Sequence, residues 1–71
     1  MIVGIDISKA WFDAACVAEG QERHQRFEYT GEGIGQLLEQ TPPNARYVME
    51  ATGTYHARLA LRLHESGRGV S

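Results

Sequence analysis

Internal disulfides are excluded, because the sequence has a single cysteine, Cys16. One thiol without a partner fits a reducing cytoplasm. Cys16 sits among apolar residues and reads as a small core side chain, not a nucleophile. No apolar run approaches the ~20 residues that a transmembrane helix needs, so no membrane partner is expected. Nor is the N-terminus a signal peptide, since Gly4, Asp6 and Lys9 interrupt any apolar core there. Neither sign of charge dominates: 7 Lys and Arg stand against 9 Asp and Glu, a net charge of -2. The chain as a whole has no basic character with which to attract nucleic acid, so any such contact must be local or lie outside these residues. His24, His56 and His64 have no zinc-ligand spacing and no cysteine pair beside them, and no metal is assigned to them.

What is present is a globular composition, 42% apolar and 23% charged over 71 residues. That is room for one small domain of marginal stability, burying about 60% of its unfolded surface. Met1 to Ile7 is almost continuously apolar up to Asp6, as in a strand covered on both faces. Ser8 to Ala10 form a turn, and Trp11 to Ala18 a second strand. Glu19 to Glu22 form a polar turn. Arg23 to Tyr29 follow as a third strand, where Phe27 and Tyr29 alternate with Arg26 and Glu28. The period then changes. Thr30 caps a predicted helix running to Gln40, with Ile34, Leu37 and Leu38 as its apolar stripe. Gly31, Gly33 and Gly35 weaken it, and Pro42-Pro43 stop it. Arg46 to Glu50 read as a fourth strand and Ala51 to Thr54 as a turn. Tyr55 to Ser66 form a second helix with Tyr55, Leu59, Ala60 and Leu63 inward. Gly67 ends that helix in a left-handed conformation, and Val70-Ser71 begin a fifth strand. Trp11 fits either the core or a cover over the sheet edge.

This order, β-β-β-α-β-α-(β), brings distant residues together. The first helix is a crossover returning the fourth strand beside the first and parallel to it, a connection overwhelmingly right-handed. Asp6 and Glu50 then lie at the C-terminal ends of neighbouring strands, where open α/β sheets place their sites. Their carboxyl groups are expected within about 8 Å of each other, close enough to share an ion or flank a pair. Magnesium prefers oxygen ligands and is usually held by one or two carboxylates plus substrate phosphates. On pattern alone, both acids fit a solvated strand end as well as a metal site.

Two motifs carry a resemblance. Gly4 to Lys9 read GIDISK, and Met49, Glu50, Thr52, Gly53 and Tyr55 fall in MEATGTY. Over essentially the whole chain, this resembles the N-terminal domain of the Asp-Glu-Asp-Asp insertion-sequence transposases. These are RuvC-like, bridge-RNA-guided recombinases, a group that includes the Piv-type DNA invertases. The resemblance implies an RNase H-like fold with strand order 3-2-1-4(-5). It makes Asp6 and Glu50 catalytic carboxylates and ligands of Mg²⁺ or Mn²⁺, with two ions in the complete domain. It also implies DNA as substrate, a guide RNA as partner and a prokaryotic cytoplasm as location. The family's two further aspartates and its serine-bearing C-terminal domain are not within residues 1–71. The chain is therefore expected to be a truncated piece, inactive alone, and a homo-oligomer joined through the fourth strand's edge or an uncovered sheet face.

Other residues admit two readings. Lys9, Thr52 and Gly53 suit a nucleic-acid backbone contact, the latter two by leading a helix N-terminus toward a phosphate. Lys9 equally suits a solvated turn, and Thr52 and Gly53 ordinary capping. A rival function is an actin-like ATPase or sugar-kinase-type phosphotransferase fragment, but Ser8-Lys9-Ala10-Trp11 lacks the glycine-containing phosphate loop that class uses. A non-catalytic remnant is the other alternative.

Overall fold

The structure, a computed structural model, describes residues 1–49 and 55–70. Its elements are β1 (Ile2–Ile7), β2 (Trp11–Ala18), β3 (Gln21–Glu28), α1 (Gly31–Gln40), β4 (Arg46–Met49), α2 (His56–Glu65) and β5 (Gly69–Val70). They build a single mixed sheet in the order β3-β2-β1-β4-β5, the order expected for an RNase H-like sheet. β1 to β3 are the antiparallel meander. β4 runs parallel to β1 in the register Ile2↔Arg46 to Ile5↔Met49.

Alternation within the strands decides the layers. Val3 and Ile5 of β1, Phe12 and Ala14 of β2, Phe27 of β3 and Tyr47 of β4 point to one side, where Ile34 and Leu37 of α1 and Leu59 and Leu63 of α2 bury them. Phe12 stacks on Phe27 at 5.1 Å and meets Tyr29 edge-on at 5.9 Å. Cys16 is half-buried against this core, as expected of a small apolar side chain.

Covering on both faces does not occur among the described residues. Ile2 is 55% exposed and Val48 45%. The connections explain why. β3–α1–β4 and β4–α2–β5 both join parallel strands, and both step in the same direction across the sheet. Crossovers of one hand that step the same way lay their helices on the same face. The other face is left to Ile2, Gly4, Asp6, Trp11 and their cross-strand neighbours.

The turns are tighter than the composition suggests. Ala18↔Gln21 pairing leaves only Glu19 and Gly20 in the β2–β3 turn, with φ of 52° and 77°. Paired positive φ values match the twist of a two-residue hairpin, so the third strand begins at Gln21 and not at Arg23. The first helix starts as expected: Thr30 Oγ1 accepts from the Gly33 N–H at 3.1 Å. Thr41, ahead of Pro42, is already extended at φ -122°, ψ 143°.

α2 differs from expectation at its start. Tyr55 is 44% exposed and precedes the helix, so it is not an inner-face residue. Tyr29 takes that place from the neighbouring strand end. Its hydroxyl donates to the Tyr55 carbonyl and accepts from the Leu59 N–H. At the other end, Gly67 is left-handed at φ 74°, and the Arg68 N–H donates to the Leu63 carbonyl at 3.0 Å. β5 then pairs Arg46↔Gly69 and Tyr47↔Val70. The edge of β4 expected to be open is thus half covered.

Arg68 ties the ends of these elements together. Its Nη1 reaches the Thr41 carbonyl at 2.9 Å, the Pro42 carbonyl at 3.2 Å and the Tyr47 hydroxyl at 2.6 Å, while Nη2 reaches the Leu38 carbonyl at 3.0 Å. Tyr47 can then donate to Thr41 Oγ1, which donates to the Leu37 carbonyl at 2.8 Å. Carbonyls at a helix C-terminus favour a cation, so this guanidinium is satisfied by α1 without a carboxylate partner among the described residues.

Gly33 is not merely a weak helix former. A Cβ there would stand 1.8 Å from the Glu28 carbonyl oxygen, whereas at Gly35 it would meet nothing within 4 Å. Gly33→Ala is therefore expected to cost about 1–3 kcal/mol through forced backbone movement. Gly35→Ala is expected to gain up to about 1 kcal/mol in the helix interior. Chemical denaturation of the two variants should give shifts of opposite sign.

Candidate functional site

Asp6 is the penultimate residue of β1. Because Val3, Ile5 and Ile7 take the inward positions, Asp6 falls with Ile2 and Gly4 on the uncovered face, exposed to solvent. The parallel β1–β4 register ends at Ile5↔Met49, so the C-terminal ends of both strands lie at the same edge of the sheet. Glu50 follows Met49 in the sequence but lies outside the described residues, as do Thr52 and Gly53. Lys9 is exposed in the turn after β1, at that same edge, in a turn closed by the Ser8 N–H donating to the Trp11 carbonyl at 2.8 Å.

Register adds residues that motif reading passed over. Asp13 lies directly opposite Asp6 across the β1–β2 pair, and Arg26 directly opposite Asp13 across β2–β3. Directly opposed side chains share a face, with Cβ atoms about 5 Å apart. Arg26 Nε donates to one Asp13 oxygen at 2.8 Å and Nη2 to the other at 3.2 Å. The guanidinium also lies over the Trp11 ring, 4.8 Å from its centroid, which places Trp11 on the open face and not in the core. Counting back from a Ser8–Ala10 turn would pair position 6 with position 12; the hairpin instead closes on the Ile7↔Phe12 pair, and this register brings Asp13 opposite Asp6.

Electrostatics on this face favour cations. Asp6, Asp13, Glu22 and Glu28 share it with Arg26, Arg46 and His24 by register. The hydrogen bonds from Arg26 hold the Asp13 carboxyl below its ordinary range, against a small opposing effect of burial, and the charges of Arg26 and His24 add to the lowering. The same pairing raises the Arg26 pKa. A depression bordered by Gly4, Asp6, Asp13, Ala15, His24 and Val48 lies over the small residues Gly4 and Ala15, which pair across the strands.

For a metal, the donor chemistry fits in kind: Asp6 offers hard carboxylate oxygens to solvent with no protein partner among the described residues. It does not fit in number, since no group of three His, Cys, Asp or Glu comes together among the described residues. Further ligands must come from elsewhere, Glu50 being the sequence's own offer. None of the described helices is long and apolar enough to cross a membrane.

A mixed sheet ordered β3-β2-β1-β4-β5, with an exposed aspartate at the carboxyl end of its central strand, defines an RNase H-like domain. Residues 3–71 match the family model of the DEDD transposases of IS110 type, described as a transposase, and the chain belongs to that family. No curated protein matches it.

The Asp13–Arg26 pair has a defined pH signature. Asp13 has a lower pKa folded than unfolded, so the pair's contribution is present at neutral pH and is lost as pH falls through that lowered value. Solvent exposure of both groups keeps the contribution small. Carbon-13 NMR titration of the Asp13 carboxyl should show it titrating low, and moving up in Arg26→Gln. An unchanged Asp13 titration in the variant would mean that the ion pair does not form in solution.

Proposed function

We propose that this transposase-family chain contributes Asp6 and Glu50 to a divalent-metal site that cleaves and rejoins DNA. The observation that carries this reading is the parallel register of β1 and β4, which brings the carboxyl ends of both strands to one edge, with Asp6 facing solvent there. Asp6 and Glu50 would hold Mg²⁺ or Mn²⁺. Such ions, when bound, activate an attacking oxygen and stabilise the leaving one. The chain's own part is to present the solvent-facing Asp6 carboxylate, which has no partner among the described residues, at a fixed strand end. Lys9, in the turn at the same edge, and Thr52 and Gly53 are assigned to the nucleic-acid backbone. A guide RNA is the proposed partner. The acidic balance of the open face means that phosphates approach it together with cations. The family match favours this reading over the phosphotransferase one.

The test is metal-dependent strand transfer. In a protein that also carries the family's two downstream aspartates, Asp6→Asn and Glu50→Gln are each expected to lower activity to background. Full activity in either variant removes that residue from the site. The 71-residue chain alone is expected to show no cleavage, because Mg²⁺ demands a near-octahedral shell that two carboxylates do not complete. Cleavage by it that Asp6→Ala abolishes would overturn the expected inactivity.

The same reading includes a homo-oligomer. Ile2, Val17 and Val48 on the open face and the two-residue edge strand β5 leave apolar surface and backbone groups without partners among the described residues. Light scattering across a concentration series is expected to give a dimer mass. A monomer mass at high micromolar concentration, with unfolding independent of concentration, would exclude it.

A further inference from the structure

We propose that Arg26 is a positioning residue for the cation site at Asp6, acting through Asp13: it holds the carboxylate that faces Asp6 toward β3 and out of the cation's shell. The inference rests on the reading that Asp6 binds a divalent cation. The sheet carries an apparent fault. Two aspartates stand directly opposite each other on β1 and β2, an arrangement that like charges make unfavourable. The third strand corrects it. Arg26, opposite Asp13 on the far side, engages both Asp13 oxygens at 2.8 and 3.2 Å.

A two-point bond from a planar guanidinium fixes direction as well as charge. Both Asp13 oxygens are engaged by Arg26, which holds the carboxylate toward β3. Trp11, two residues before Asp13 on the same strand and face, lies under the Arg26 guanidinium at 4.8 Å and limits where that group can swing. Asp6 is left as the carboxylate of this pair without a partner among the described residues, open to meet an ion. Without Arg26, two carboxylates on adjacent strands would converge on the same space. Carboxylate number and charge set how tightly a hard cation is held.

The arrangement thus assigns Arg26 control of cation affinity, apart from any part it plays in folding. Tight binding by a pair of strand carboxylates is not an advantage where ions must also engage substrate phosphates. An arginine that withholds one acid keeps the site weak until substrate and the remaining ligands arrive.

The experiment is Mn²⁺ binding to this chain, followed by electron paramagnetic resonance, in the wild type and in Arg26→Gln, Asp13→Asn, the double variant and Arg26→Gln with Asp6→Asn. Circular dichroism checks that each variant is folded. Arg26→Gln is expected to bind Mn²⁺ about tenfold more tightly, by release of one carboxylate. The double variant is expected to return to the wild-type value and Asp13→Asn to stay near it. A purely structural role for Arg26 would weaken binding and would not be reversed by Asp13→Asn.

Three results overturn the proposal in distinguishable ways. Wild-type binding that Asp6→Asn removes but Arg26→Gln leaves unchanged refutes the role of Arg26 and keeps Asp6 as a ligand. Tighter binding in Arg26→Gln that survives Asp6→Asn refutes the shared shell, and with it the reading of Asp6. No binding at millimolar Mn²⁺ in either wild type or Arg26→Gln refutes the release of a ligand by Arg26, and the strand-transfer assay of Asp6→Asn then decides Asp6 separately.

Discussion

Two crossovers step the same way across one sheet, and the placement of nearly every side chain in this molecule answers to that constraint. Both α1 and α2 are forced onto a single face. Alternation along the strands then sorts residues by face: Val3, Ile5, Phe12, Ala14, Phe27 and Tyr47 go to the core, and Asp6, Asp13, Arg26 and Trp11 to the open side. An acid near the centre of the sheet is tolerated because its face is wet. The same aspartate one position earlier would be buried where Ile5 packs under the helices, at a cost that an unpaired charge could not meet there.

The crossover is pinned by polar atoms as much as by apolar ones. Arg68 reaches from beyond α2 to the last carbonyls of α1 and to the Tyr47 hydroxyl, and Tyr47 passes the chain of donors on through Thr41 to Leu37. These are buried or half-buried groups, where a missing partner is expensive and a complete set is rigid. The consequence for function is positional. β4 is fixed at Tyr47 beside Val3, and the carboxyl end of β4 is thereby delivered next to that of β1.

On the open face, charge is arranged in a row across three strands, from Asp6 to Asp13 to Arg26, with Trp11 beneath the last. One acid is committed and the other has no partner among the described residues, and the difference is made by a residue that belongs to neither family motif. The fold therefore does more than bring two strand ends to one edge. It also supplies the neighbours that set how many charges a ligand would meet.

Much of this was legible in the residues themselves. The apolar runs of β1 and β2, the alternation in β3, the Thr30 cap, the Pro42 stop and the Gly67 terminator act through neighbours in the chain, so their period and spacing specify them locally. The GIDISK and MEATGTY motifs and their separation marked Asp6 and Glu50, of which Asp6 lies among the described residues, at the strand end expected. What sequence alone did not decide depends on contacts between elements far apart in the chain. The bareness of one sheet face follows from the direction of two crossovers. The outward turn of Tyr55 follows from Tyr29 occupying its place, and the need for glycine at position 33 from the approach of the Glu28 carbonyl. The pairing of Asp13 with Arg26, opposite Asp6, follows from strand register. Local pattern fixes which face a residue takes relative to its neighbours in the chain. Only tertiary packing decides what stands across from it, because that is set by hydrogen-bond register and by the finite space between backbones.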